Sequence, residues 1–242
     1  MSRYGEREPD SHMIVMPANS SGWFWHALAR ETGRLGHLYS PDAQRGPWPW
    51  FPYALDNGAF SAWDQASNTW DESAWSEAAW RRLLVWSQTT GQRPRWAIVP
   101  DVPGDAARTL ERWATFAPVV RDMGIPAALA VQDGMTPDDV RSLGADVIAV
   151  GGSTEWKWAT VASWAAAFPR VHLLRCNSPA RLAELDGLGV ESCDGTGWSR
   201  GDRAQTSGLE AWCRQHARPV TRWPLWPHVC REPRIKGQMR FA

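Results

Sequence analysis

A rhythm constrains this chain more than any other feature. Short apolar runs ending in polar residues or glycine alternate with stretches of helical periodicity. The runs are MIVMPA (13–18), YALDNG (53–58), WAIVPDV (96–102), AALAVQD (127–133), VIAVGG (147–152), VHLLRCN (171–177), VESCDG (190–195) and a weaker PVTRW (219–223). Helical spacing fills 20–32, 71–90, 104–123, 136–143, 155–168, 178–187 and 206–217, with starts signalled by Thr136-Pro137-Asp138-Asp139 and by Ser178-Pro179. Buried strands alternating with helices pair in parallel, because each helix carries the chain back to the same end of the sheet. About eight such units predict an α/β fold, a compact (β/α)8 TIM barrel with residues 1–242 as one domain. An open doubly wound sheet is the alternative. The first turn, MPANSSGW, lacks GxGxxG and argues against a dinucleotide-binding version of it.

Composition limits the classes. At 43% hydrophobic and 21% charged, the chain can bury an ordinary core. Cys176, Cys193, Cys213 and Cys230 have no CxxC or CxC spacing, so neither a zinc site nor a disulfide framework is expected, and a reducing cytoplasm is the expected setting. No apolar run approaches a membrane span, and MSRYGEREPD has no signal-peptide core. Net charge is zero, yet residues 200–242 carry nine basic residues against three acidic ones. Such an end either attracts a polyanion or is a solvated tail. Residues 1–12 read as a flexible tail and 222–242 as a basic extension. Lys157 and Lys236 are the only lysines beside 24 arginines. Arginine suits phosphate contacts, and genomic base composition gives the same bias. Of the 18 tryptophans, Trp75, Trp80 and Trp86 recur at helical spacing and read as core or helix-packing residues. A few others are candidates for stacking on bases.

Polar residues recur at the C-terminal ends of the expected strands: Asp56, Asp101, Gln132, Gly151, Gly152 and Asp194. In a barrel those ends converge on the face that holds active sites. A single carboxylate there is usually a turn former. Three carboxylates and an amide at matching ends predict a functional site. Two carboxylates around one bond can serve as nucleophile and general acid/base, and Gln132 can donate and accept at a nucleobase edge. Gly151 and Gly152 either expose bare backbone to a flat ligand or make a tight turn. In CDGTGWSRGDR, Asp194 precedes Trp198, Arg200 and Arg203, the expected nucleic-acid-binding set. That combination suits cleavage of a nucleotide's glycosidic bond. Among the six histidines only His172 falls in an expected strand, without HxH or HxxE, and reads as a packed core residue. No metal is expected.

Five segments, in order, resemble the tRNA-guanine transglycosylases, and more closely their small phage-type paralogues that insert 7-deazaguanines into DNA. LDNGAFSAW resembles the segment of the proton-accepting Asp (here Asp56), and VPDVPGD the segment of a base-reading Asp (here Asp101). AVQDG is similar to the segment whose Gln contacts the base (here Gln132), and AVGGSTEW to the Gly-Gly loop (here Gly151 and Gly152). SCDGTGWSRGDR resembles the segment of the nucleophilic Asp (here Asp194), followed by an Arg near the backbone (here Arg200). The resemblance runs from about residue 50 to residue 203. Asn57 and Asp133 depart from the family pattern, and the zinc-binding subdomain of the tRNA enzymes has no counterpart. The resemblance therefore implies DNA rather than tRNA as partner, a free 7-deazaguanine such as preQ0 as co-substrate, and no cofactor. It implies base exchange through a covalent Asp194-glycosyl intermediate on a flipped-out guanine, and by analogy an anti-restriction role. Other readings are a tRNA enzyme lacking the zinc site, a nucleoside or sugar hydrolase, and a non-catalytic DNA-binding barrel.

Overall fold

In a computed structural model, residues 12–18, 22–41, 51–64, 66–67, 69–200 and 203–218 are described. Eight strands form one parallel sheet: β1 (Ile14–Pro17), β2 (His37–Tyr39), β3 (Tyr53–Leu55), β6 (Ala97–Ile98), β7 (Ala127–Val131), β8 (Val147–Val150), β9 (Val171–Leu173) and β10 (Ser192–Gly195). A short antiparallel ribbon, β4 (Trp63–Asp64) with β5 (Thr69–Trp70), stands outside it. The sheet order is β1-β10-β9-β8-β7-β6-β3-β2. Its two end strands meet: the Val15 N–H donates to Arg34 O at 2.9 Å, the Gly36 N–H donates to Val15 O at 2.9 Å, and Ala18 pairs with Leu38. The expected (β/α)8 barrel is the observed fold.

The helices are α1 (Trp23–Thr32), α2 (Glu77–Thr89), α3 (Ala106–Asp122), α4 (Pro137–Val140), α5 (Thr154–Ala167), α6 (Leu182–Leu188), α7 (Gly197–Arg200) and α8 (Arg203–Gln215). Side chains fix several starts. Ser76, Asp105 and Ser153 cap α2, α3 and α5 by accepting from the N–H groups of Ala79, Arg108 and Trp156. Thr136 and Asp139 form a capping box at α4.

Strand alternation sorts the core into two parts. Ile14, Met16, Leu38, Ala54, Trp96, Ile98, Ala128, Ala130 and Val147 fill the barrel. Their neighbours in sequence, such as Val15, Tyr53, Leu129, Ile148 and Cys193, pack outward against the helices. Trp96 is fully buried in this interior set, which also contains three alanines.

Strand β2 is absent from the sequence reading. HLY is three residues long and begins with a histidine, so it shows neither an apolar run nor a period. Its place between β3 and β1 requires Gly36, because a Cβ there would come within 2.6 Å of Pro52 O and 3.0 Å of Ile14 Cγ2. The eighth strand is thus β2. The expected strand at 219–223, the N-terminal tail and the basic extension at 222–242 lie outside the described residues, apart from His12. Helices 71–90 and 178–187 are each divided, with 3-10 turns at Glu72–Ala74 and Pro179–Arg181 before α2 and α6. Trp80 is fully buried and Trp75 and Trp86 pack against the same core, as their spacing implies. Cys176, Cys193 and Cys213 are buried free thiols. No described helix is long and apolar enough to cross a membrane.

Candidate active site

Asp194 is the last inward-facing side chain of β10, one pleat beyond Ser192. Its Oδ1 accepts from the backbone N–H of Arg175 at 2.9 Å and meets His172 Nε2 at 3.1 Å. His172 Nδ1 lies 2.8 Å from Ser192 Oγ. A ring proton on Nε2 and a donated Ser192 hydroxyl satisfy all three groups. The imidazole is fully buried and packs on Trp96 with ring centroids 4.6 Å apart. His172 is therefore a core histidine, as read from sequence, but it also orients a site carboxylate. The sequence could have signalled this only through register: β9 pairs His172 with Ser192, two residues before Asp194. Asp194 Oδ2 has no hydrogen-bond partner among the described residues, while the side chain remains slightly exposed. One oxygen is anchored and the other is left for a ligand.

Asp56 directly follows β3, on the same mouth. Its own N–H donates to Tyr39 O at 2.7 Å, and its Oδ1 accepts from the Asn57 N–H at 2.8 Å. Gly58 then takes φ 74°, completing a turn that aims the carboxylate inward. Burial, then the neighbouring charge of Asp194, and more weakly that of Asp101, push the Asp56 carboxyl up to about 7.

Asp101 lies beyond β6 and is buried. Burial raises its carboxyl to about 6, against hydrogen bonds that lower it. The donors are amides: Asn57 Nδ2 to Oδ1 and Gln132 Nε2 to Oδ2, both at 2.7 Å. Gln132 Oε1 in turn accepts from the Gly104 N–H at 3.0 Å. Asn57, a departure noted in the sequence, thus links the two carboxylate loops and also donates to Val99 O.

The glycine pair follows the turn reading. Gly152 has φ 69°, and a Cβ there would overlap Asp133 Oδ2. Gly151 sits within the mouth beside Gln132, where a Cβ would come within 3.1 Å of Val131 O. Asp133 is exposed and accepts from the Ser153 N–H at 2.6 Å, tying the end of β7 to the start of α5.

The expected nucleic-acid-binding set needs one correction. Trp198 has no exposed surface and belongs to the core between barrel and helices, so it cannot stack on a base. The four-residue helix α7 turns it inward. Arg200 and Arg203 are exposed, after the mouth end of β10. Sequence reading missed Arg175. Its backbone is left-handed at φ 57°, its guanidinium donates to Gly152 O at 2.6 Å, and it lies 4.6 Å from the ring centroid of Phe60. Among the described residues no three His, Cys, Asp or Glu side chains are grouped so as to hold a metal ion. The site carboxylates are instead held by amides, a histidine and backbone N–H groups. Comparison with protein-family models and with curated proteins gives no match.

Proposed function

We propose that this barrel is a DNA-guanine transglycosylase that exchanges guanine in DNA for a 7-deazaguanine such as preQ0. The observation that carries the reading is the pair Asp194 and Asp56. One carboxylate is oriented by His172 and the Arg175 N–H with Oδ2 left open, and the other is held near neutrality beside it. That division of roles suits a nucleophile and a proton-transfer group. In the proposed reaction Asp194 Oδ2 attacks C1′ of a flipped-out guanosine, and the C1′–N9 bond breaks. Asp56 supplies a proton to the departing guanine. The resulting Asp56 carboxylate then takes the ring N–H proton of the incoming deazaguanine as its nitrogen attacks C1′ and frees Asp194. One glycosidic bond replaces another, so no energy source is required. Asp101 with Gln132 suits the amidine edge of a guanine-like base, because a carboxylate accepts from N–H donors and the amide can do either.

The test is incubation with guanine-containing duplex DNA and preQ0, followed by digestion and mass spectrometry of the nucleosides, with tRNA and Asp194→Ala protein as controls. The expected result is a 7-deazaguanine nucleoside in DNA that depends on Asp194. Modification of tRNA alone would move the reading to the tRNA enzymes, and release of guanine without insertion would move it to a hydrolase.

A further inference from the structure

Strands β3 and β9 stand four places apart in an eight-membered ring, on opposite sides of the barrel. Yet Arg175, just past β9, reaches Phe60 on the excursion after β3, with its guanidinium carbon 4.6 Å from that ring centroid and 5.9 Å from that of Trp63. The side chain therefore spans the mouth. Its guanidinium hydrogen bond to Gly152 O leaves the other N–H donors without a protein acceptor among the described residues. Phe60 is 43% exposed, so the contact is open to solvent.

Charge favours an arginine here. Asp56, Asp101 and Asp194 lie close enough to act on one another, and those of them that ionise repel a polyanion. Two other cations act on these carboxylates, and each is tied to a protein acceptor, although Arg112 keeps a buried Nη1 without a hydrogen-bond partner among the described residues. Arg112 is paired with Glu72 and lies over Trp75 at 4.4 Å. Lys157 Nζ donates to Leu174 O and Arg175 O. Arg175 alone of the three crosses the mouth to an exposed aromatic ring.

We infer that Arg175 binds the backbone phosphate beside the target nucleoside, leaving Phe60 to do so, while its own N–H holds Asp194. The inference rests on the nucleic-acid reading of the site. It couples substrate seating to the nucleophile through one residue, and the left-handed backbone is what lets N–H and side chain serve both ends.

The experiment uses Arg175→Gly, which keeps the left-handed backbone and the N–H but deletes the guanidinium. Arg175→Asn, also tolerant of that backbone, guards against a folding artefact. Binding of a short fluorescent single-stranded oligodeoxynucleotide containing one guanine is measured across a salt series, with base exchange assayed in parallel. Both variants are expected to bind about tenfold or more weakly, with a log–log salt slope shallower by about 0.7. Phe60→Ala, which removes only the aromatic contact, is expected to keep the wild-type slope. Unchanged affinity and slope in Arg175→Gly, with a wild-type protein that does exchange bases, overturns the phosphate role alone. The same slope loss in Phe60→Ala also overturns it, making Arg175 a brace. Arg175-dependent binding without any exchange overturns the transglycosylase reading and keeps the phosphate site. A wild-type protein that does not bind the oligonucleotide overturns both.

Discussion

At the scale of single residues, the site depends on how each carboxylate is surrounded. Asp56 gives up a favourable ionised state on burial beside Asp194, and this has two measurable consequences. Its carboxyl titrates near 7 in the folded chain against 3.8 for the ordinary group, so the native state holds the extra proton between those values. Stability therefore falls as pH rises through that window and is lowest above it. Asp56→Asn should be more stable than wild type at pH 8, by about 1–3 kcal/mol in urea denaturation, and indifferent to pH there. The same variant should lose about 10²- to 10⁴-fold in exchange rate. Wild-type use of the incoming base should rise with a midpoint near pH 7. A pH-independent rate would remove Asp56 from proton transfer. In the proposed reaction His172 acts through Asp194 rather than on substrate. In His172→Phe the packing on Trp96 survives while Asp194 Oδ1 and Ser192 lose a partner. The expected outcome is a fall of about 10² in kcat with KM little changed. A rise in KM alone would make the histidine structural.

At the scale of elements, the βα turns do the aiming. The turn after β8 closes only because Gly152 adopts φ 69° with Asp133 packed where a Cβ would go. Gly152→Ala should destabilise the fold by about 1–3 kcal/mol, read from the urea midpoint at unchanged m-value. An unaltered midpoint would mean the loop accommodates the methyl group freely. The excursion after β3 is pinned in another way. Trp75 Nε1 donates to Asn57 O at 3.0 Å, and Glu72 joins Arg108 and Arg112 of α3. Asn57 itself bonds Asp101, so the outer packing of this arm bears directly on that buried carboxylate. None of this was legible in the sequence. LDNGAF announced a turn and a carboxylate, but Trp75 and Arg112 lie 37 positions apart and meet only because α3 follows a neighbouring strand. Trp198 shows the converse. Its neighbours Arg200 and Arg203 marked it as a surface residue, and one turn of α7 rotates it into the core.

At the scale of the whole molecule, the two ends of the barrel have opposite electrostatics. The mouth crowds carboxylates, and burial opposes the ionisation of Asp56 and Asp101 there. The far end pairs its charges: Glu191 before β10 bonds Arg95 at 2.8 Å and Arg170 at 2.6 Å. Although burial opposes ionisation, the two arginines hold the Glu191 carboxyl down at about 2. A depressed carboxyl contributes stability that is present above the ordinary value of 4.5 and lost as pH falls toward 2. Glu191→Gln should cost about 2 kcal/mol or more at pH 7. The gap to wild type should close between pH 4.5 and 2. A gap that persists at pH 2 would mean the loss is one of packing. Such a division, stability at the N-terminal ends of the strands and the proposed chemistry at their C-terminal ends, is what the barrel topology allows. The sequence by itself favoured the barrel over an open doubly wound sheet, since about eight strand–helix units fit a closed ring at this length and the first turn lacks GxGxxG. It also determined that Asp56, Asp101, Gln132 and Asp194 share a face, because each ends a strand and all strands run one way. Tertiary structure alone decided which strand closes the ring, that His172 and Arg175 serve Asp194, and that Trp198 is buried. Those outcomes depend on sheet register and on side chains meeting across the barrel, and neither leaves a periodic trace along the chain.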